Sequence, residues 1–231
     1  FNLNRLERYL TICNASKIEP FIVLSKVDLM EQQLLEELII QVKERIKSVT
    51  VFAISNHSQI GIENLKSKLA KGKTYCLLGS SGVGKSTLIN TLTGTHLMDT
   101  GEISQGIDRG KHITSHRELI VFKNGILIDN PGMREVGITH NSNGLLTTFD
   151  AIQNLALDCK YNDCTHTNEK GCAVLDAIAN EELDSDTYTN FMKMEKERMH
   201  FELDANERKK KEKNFGKMIK RVQKQRRNNK Y

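Results

Sequence analysis

A short apolar run at 75–78, Tyr-Cys-Leu-Leu, passes directly into Gly79-Ser80-Ser81-Gly82-Val83-Gly84-Lys85-Ser86-Thr87 and then into a stretch of helical character to about residue 92. Few patterns constrain a fold more tightly. The apolar run reads as a strand buried on both faces, and the loop matches Gly-x4-Gly-Lys-Ser completely, in the strand–loop–helix setting such a loop requires. Glycines let backbone N–H groups converge where a Cβ would obstruct the turn, and the helix start adds its positive end. Together they predict a phosphate cradle, with Lys85 reaching the β- and γ-phosphates of a nucleotide and the Ser86 hydroxyl ligating Mg²⁺. The plainer reading, a glycine-rich turn, leaves the flanking strand and helix unexplained.

Forty-four residues beyond Lys85, Asp129-Asn130-Pro131-Gly132 follows the apolar Ile126-Leu127-Ile128. A carboxylate at the C-terminal end of a strand can hold Mg²⁺ through its water shell, and Gly132 can bring an N–H to a γ-phosphate. The intervening stretch 104–116 is polar and glycine-bearing, and it predicts a mobile loop whose hydroxyl completes the Mg²⁺ shell. Thr114 is the first choice for that hydroxyl and Ser115 the reserve. His112, in the same loop, either positions the attacking water or has a phosphate-contacting or structural role. Met133 stands where many nucleotide switches place the glutamine that orients water, so hydrolysis is expected to be slow until a partner completes the site.

The base on those phosphates is read from two earlier segments. Ser25-Lys26-Val27-Asp28 follows the apolar Phe21-Ile22-Val23-Leu24, and Ser55-Asn56 follows an apolar strand-like run at 49–54. Asp28 can accept the N1–H and N2–H₂ of guanine, a donor pair adenine lacks. The Lys26 stem would cover the face of the base, and Ser55-Asn56 would present a backbone N–H to the guanine oxygen. Both elements precede the phosphate loop, whereas ordinary guanine-nucleotide switches carry them after Asp-x-Pro-Gly. Joining the old ends of such a domain and cutting elsewhere preserves strand neighbours. The expected fold is therefore α/β, a circularly permuted P-loop GTPase domain at residues 1–144.

Strand-like and helical runs alternate through that region, predicting a parallel sheet covered by helices on both sides, with a hairpin turn at Asn124-Gly125. After about residue 145 the β-branched runs vanish, and a mostly helical domain is expected at 145–231. Its long second helix, at about 186–228, starts near Leu183-Asp184-Ser185-Asp186. Sparse apolar positions predict weak packing and a disordered end. Within it, Cys159-x4-Cys164-x-His166-x5-Cys172 offers three thiolates and an imidazole, which suit one tetrahedral zinc with no position left for water, hence a structural site. Cys13 and Cys76 read as ordinary core. Five cysteines, three of them clustered, predict metal rather than disulfides and a cytoplasmic protein. No apolar stretch is long enough to span a membrane.

Charge is distributed unevenly. Residues 208–231 hold twelve Lys or Arg against Glu212, while the other 207 residues carry 22 basic and 28 acidic groups. A mildly acidic body with a basic end predicts a polyanionic partner, the bland alternative being a solvated terminal helix.

The permuted order, the phosphate loop, Asp129-Asn130-Pro131-Gly132-Met133-Arg134-Glu135 and the zinc spacing resemble the ribosome small-subunit-dependent GTPase family, RsgA/YjeQ, over nearly the whole chain. Ser25 departs from the Asn or Thr that family uses. The resemblance implies GTP and GDP as ligands, hydrolysis stimulated by the 30S subunit, contact with rRNA and a role in late subunit maturation. A monomer is expected. The family also carries an N-terminal OB-fold domain, so the resemblance implies a fragment or a short member. The competing reading is an ATP-dependent P-loop enzyme with a zinc-binding nucleic-acid module, and Asp28 speaks against it.

Overall fold

The computed structural model describes residues 1–47, 49–95, 118–130 and 142–228. They fall into two compact units, one formed by residues 19–136 and the other by 1–18 together with 137–231. The expected division at 144 thus differs at both ends. The first eighteen residues join the C-terminal helices, and the break on the other side comes at 136/137.

In the 19–136 unit, β1 (Phe21–Leu24) pairs in parallel with β2 (Thr50–Ala53), joined through a single 3₁₀ turn (Val27–Leu29) and helix α2 (Gln32–Arg45). Helix α3 (Ile62–Lys68) leads to β3 (Lys73–Leu77), the phosphate loop and helix α4 (Lys85–Thr93). The hairpin β4 (Glu118–Phe122) and β5 (Gly125–Asp129) completes a three-stranded sheet ordered β3-β5-β4, with β5 parallel to β3 and antiparallel to β4. Two ladders thus replace the single parallel sheet expected, yet they share a core. Phe52, Ile54 and Leu65 pack with Leu88 of α4 and Leu77 of β3, and Leu77 also borders the cluster of Ile89, Ile120 and Leu127. Burial on that face holds the C-terminal ends of β1, β2, β3 and β5 around α4.

The hairpin turn lies one residue earlier than expected. Phe122 pairs with Gly125, so Lys123 and Asn124 make the turn. Gly125 serves a different purpose, because a Cβ there would stand 2.1 Å from the Lys73 carbonyl oxygen of the neighbouring strand. Cys76 is exposed rather than core, and the Asn130 amide donates to its sulfur.

In the second unit, α1 (Leu3–Ala15) packs on α5 (Ser142–Thr148), followed by α6 (Asp150–Ala156), α7 (Ala173–Ala179) and α8 (Ser185–Asn228). Gly144 allows the first contact, since a Cβ there would meet the Thr11 carbonyl oxygen at 2.3 Å. Buried Glu7 accepts from Asn190 of α8, and Arg8 forms a two-pronged ion pair with Glu197 at 2.7 and 2.9 Å. Leu145, Phe149, Ile152, Val174 and Met194 form the core, with the Phe149 and Phe191 rings 5.4 Å apart. Asp184 caps α8 by accepting the Thr187 N–H at 2.9 Å. The helix is described as far as Asn228. Among the described residues no helix is long and apolar enough to cross a membrane.

Candidate nucleotide site and metal centre

Three loops meet at the strand ends of the 19–136 unit. The phosphate loop, residues 79–84, turns through left-handed glycines, Gly82 at φ 79° and Gly84 at φ 92°, conformations costly for any residue with a Cβ. Gly84 is also the N-cap of α4, so the first free N–H groups of that helix open into the loop. Lys85 folds over it, its ammonium donating to the carbonyls of Gly79 and Ser80 at 3.0 Å each. A Cβ at Gly79 would crowd Val83 Cγ2 at 3.1 Å, while Lys85 Cδ at 3.8 Å would be in ordinary contact. Burial lowers the Lys85 pKa and the Asp129 charge holds it up; burial raises the Asp129 pKa and Lys85 draws it down.

Asp129 ends β5 and is 1% exposed, and its Oδ1 is buried with no hydrogen-bond partner among the described residues. A buried carboxylate oxygen left without a donor beside a phosphate loop fits a water-shelled divalent cation, with the hydroxyl of Ser86, the second residue of α4, as a second ligand. The donor set is all oxygen, as Mg²⁺ requires.

The base loop is tied to the phosphate loop directly. Ser25 donates its hydroxyl proton to the Val83 carbonyl at 2.7 Å, across 58 residues of sequence. Lys26 then adopts φ 60°, ψ 36°, and this left-handed residue turns the chain so that Val27 faces inward and Asp28 outward. The Ser55 hydroxyl holds the Asp28 carboxyl below the usual carboxylate range by hydrogen bonding to it, aided by the nearby His57 and Lys26 charges. Ser55 is fully buried, accepts from Ser58 N–H at 3.1 Å and donates its own N–H to Ile60 at 3.0 Å. The Gln59 amide donates to the Asn56 carbonyl at 2.5 Å. Gly61 closes this turn at φ 69°, where a Cβ would lie 2.1 Å from the Ala53 carbonyl oxygen. Asn56 Nδ2 lies 3.7 Å from the position a Cβ on Gly84 would occupy, bringing the second base-reading element against the phosphate loop.

Residues 25–28, 55–56, 79–87 and Asp129 are therefore gathered around one set of strand ends. His112, Thr114, Ser115, Gly132 and Met133 lie outside the described residues.

In the second unit the donor atoms of Cys159, Cys164, His166 and Cys172 all lie within 4.8 Å of one another. Around a tetrahedral zinc, with Zn–S about 2.3 Å and Zn–N about 2.0 Å, two sulfurs stand about 3.8 Å apart and a sulfur and a nitrogen about 3.5 Å. Cys159 and Cys172 sulfurs are 3.9 Å apart, and His166 Nδ1 is 3.6 Å from the first and 3.4 Å from the second. Donor type and spacing both fit one zinc. Burial opposes a Cys159 thiolate, but the N–H donors at Ala173 and Val174 and the hydrogen bonds with Cys164 and Cys172 together lower the pKa. Burial pushes the Cys164 thiol up to about 11, so metal must displace its proton.

Sequence reading missed what shapes the loop bearing His166. Glu169 curls that loop around its carboxylate, accepting from Thr165 N–H at 2.9 Å, the Thr165 hydroxyl at 2.5 Å, Thr167 N–H at 2.9 Å and Asn168 N–H at 3.1 Å. From outside the loop, the Tyr188 hydroxyl donates to the His166 carbonyl at 2.6 Å. A lone acid in a Thr/Asn loop reads as solvated, and only its position four residues after Thr165 hinted otherwise.

A family model described as RsgA GTPase matches residues 1–139, and one described as 50S ribosome-binding GTPase matches 74–224, starting at the phosphate-loop strand. The small ribosomal subunit biogenesis GTPase RsgA 1 of Listeria innocua is 45% identical over 198 residues, 85% of this chain and 57% of that protein. The protein of the same name in Bacteroides thetaiotaomicron is 37% identical over 230 residues, 99% of this chain and 64% of its own length. Among solved structures, YjeQ from Thermotoga maritima aligns with a TM-score of 0.61 at 25% identity, covering 84% of this chain and 65% of that one. YloQ, described as a circularly permuted GTPase, gives 0.59 at 28%, covering 84% and 61%. The chain thus spans about three-fifths of the length of these relatives. A family model over more than half the chain and relatives of this similarity lead to one conclusion: the chain belongs to the RsgA GTPase family.

Proposed function

We propose that this chain hydrolyses GTP to GDP and phosphate with Mg²⁺, and that it acts on the 30S ribosomal subunit in late maturation. The single observation that carries the nucleotide assignment is the Ser25–Val83 hydrogen bond, which ties a guanine-reading loop to a phosphate loop that follows it in sequence. Backbone N–H groups at 82–86 and the Lys85 ammonium bind the phosphates. Ser86 and Asp129 hold Mg²⁺, which when bound offsets charge on the β- and γ-phosphate oxygens. Asp28 pairs with guanine N1–H and N2–H₂, Ser55 fixes its carboxylate, and the Lys26 stem lies over the ring. Thr114, or Ser115 in its place, completes the Mg²⁺ shell, Gly132 N–H meets the γ-phosphate, and His112 orients water or phosphate.

The partner follows from the relatives, which are named small ribosomal subunit biogenesis GTPases, and from the twelve basic residues at 208–231. Helical phosphate contacts of that kind suit rRNA and are salt-dependent. The protein works as a cytoplasmic monomer, with one structural zinc on Cys159, Cys164, His166 and Cys172.

Nucleotide titration tests the reading. GTP and GDP bind in preference to ATP and ADP, and Asp28→Asn lowers GDP affinity by roughly 10–100-fold, the loss of a charged hydrogen-bond pair. Phosphate release rises when 30S subunits are added and vanishes in Lys85→Ala. Equal wild-type affinity for GDP and ADP would overturn the guanine assignment. Turnover indifferent to 30S subunits would overturn the partner.

A further inference from the structure

Guanine presents two donors on one side and two acceptors, O6 and N7, on the other. Asp28 answers the donors. The acceptors need N–H or O–H groups, and Ser25, the nearest side chain by sequence, has none to give. A serine hydroxyl carries one proton, and that of Ser25 is committed to the Val83 carbonyl at 2.7 Å. One backbone N–H at Ser55-Asn56 can reach one acceptor. Something else must serve the remaining edge, or a buried acceptor goes unpaired at a cost.

Asn56 has the chemistry and the position. Its carboxamide makes no hydrogen bond among the described residues, and its Oδ1 is buried without a partner. Its Nδ2, with two protons, faces the start of α4, 3.7 Å from where a Cβ on Gly84 would sit. The backbone beneath it is held by the Gln59 amide on its carbonyl, by the Ser55 contacts with Ser58 and Ile60, and by the obligate Gly61 turn. A polar side chain so braced, with its amide unspent beside a nucleotide loop, is placed for a ligand rather than for the fold.

We propose that the Asn56 carboxamide donates to the acceptor edge of guanine, O6 and N7, and is a specificity-determining residue of this site. The proposal rests on the guanine reading above. Asn56 supplies the amide donor that Ser25 lacks. It favours guanine over adenine because adenine carries an amino donor where guanine carries O6, and two donors facing each other repel.

Binding of GDP, 7-deaza-GDP (no N7 acceptor) and 6-thio-GDP (a weak acceptor at position 6) is measured by calorimetry for wild type, Asn56→Ala and Asn56→Asp. ADP and the Asp28→Asn variant serve as controls. Asn56→Ala lowers GDP affinity about 5–20-fold, the range for one hydrogen bond to a polar ligand edge. At least one analogue that binds wild type more weakly than GDP binds Asn56→Ala as well as GDP does. Asn56→Asp keeps the shape but has only acceptors, and it loses more GDP affinity than Asn56→Ala while its melting temperature stays at the wild-type value. Unchanged GDP affinity in Asn56→Ala, or equal penalties for both analogues with and without the amide, would overturn the proposal. If Asp28→Asn removes guanine preference while Asn56→Ala does not alter it, the Asn56 role fails and the guanine reading stands. If wild type does not distinguish GDP from ADP, both fall.

Discussion

The two candidate sites are built by opposite strategies. Around the nucleotide loops the brace reaches far along the chain: the Ser25 to Val83 bond spans 58 residues. Around the metal the braces are local, with Glu169 bonded to residues one to four positions away and the four donors spread over fourteen residues. The difference teaches where each geometry comes from. A site braced across strands inherits its shape from the packed core beneath it, here Phe52, Ile54, Leu77 and Leu88. The stretch at 165–169 bonds mainly to itself, while the ligands Cys159, Cys164 and Cys172 reach the helical core, so the shape of the loop depends on the metal that ties it to them.

Removing the metal is the strongest way to break the contrast. Zinc held by three thiolates and an imidazole contributes on the order of 10 kcal/mol in small metal modules. Cys172→Ser, or chelation of the wild-type protein, is expected to abolish bound zinc in elemental analysis and to unfold the helices of the 137–228 segment first. Cys172 is 1% exposed and N-caps α7, so core packing is lost with the ligand. Helical circular dichroism should fall while GDP affinity stays within about twofold, because no described nucleotide residue belongs to that unit. Joint loss of both would show the two sites to be one cooperative structure.

A smaller effect sharpens the other side. Ser25→Ala deletes the link between the base loop and the phosphate loop and leaves the Val83 carbonyl without its donor. A hydrogen bond of this kind contributes about 1 kcal/mol, with more lost when a half-buried partner is stranded. GDP affinity is expected to fall about tenfold, with zinc content unchanged. Ser25→Asn, which restores an amide, should hold wild-type affinity or exceed it. An alanine variant that binds GDP normally would mean that core packing alone positions Asp28.

What was legible in sequence follows the same division. The phosphate loop, Asp129 and the zinc ligands are local patterns whose chemistry fixes both residue type and spacing, and the structure brings each set together. Docking of α1 was not legible. It depends on Glu7–Asn190 and Arg8–Glu197, pairs more than 180 residues apart, and on the missing Cβ of Gly144. Gly125 was read as a turn residue because Asn-Gly is the commoner use, while its neighbour in space, Lys73, lies on another strand. The short helices α5 and α6 carry too few apolar positions for periodicity to reveal them. In each case the missing information is a contact distant in sequence.

Glu169 gives the smallest and most specific test. Its carboxyl lies well below the usual carboxylate range, chiefly because the Thr165 hydroxyl and backbone N–H donate to it, joined by Asn168. A depressed folded-state pKa means that its contribution is complete above the unfolded-state value and is lost as pH falls through the folded one. Proton competition for the thiolates releases the zinc first, and opening of the emptied His166 loop follows as a separate step at lower pH. Glu169→Gln leaves one acceptor oxygen and turns an NH₂ toward N–H donors. It should speed zinc transfer to a chromophoric chelator at neutral pH by about fivefold, below the 10–100-fold usual for groups that orient metal ligands directly, because this loop is exposed. The variant should still bind one zinc and GDP as wild type does, and should lose the lower acid step. If release is unchanged, the ligands and Tyr188 alone hold the loop, and the metal centre is braced from outside itself, as the nucleotide site is.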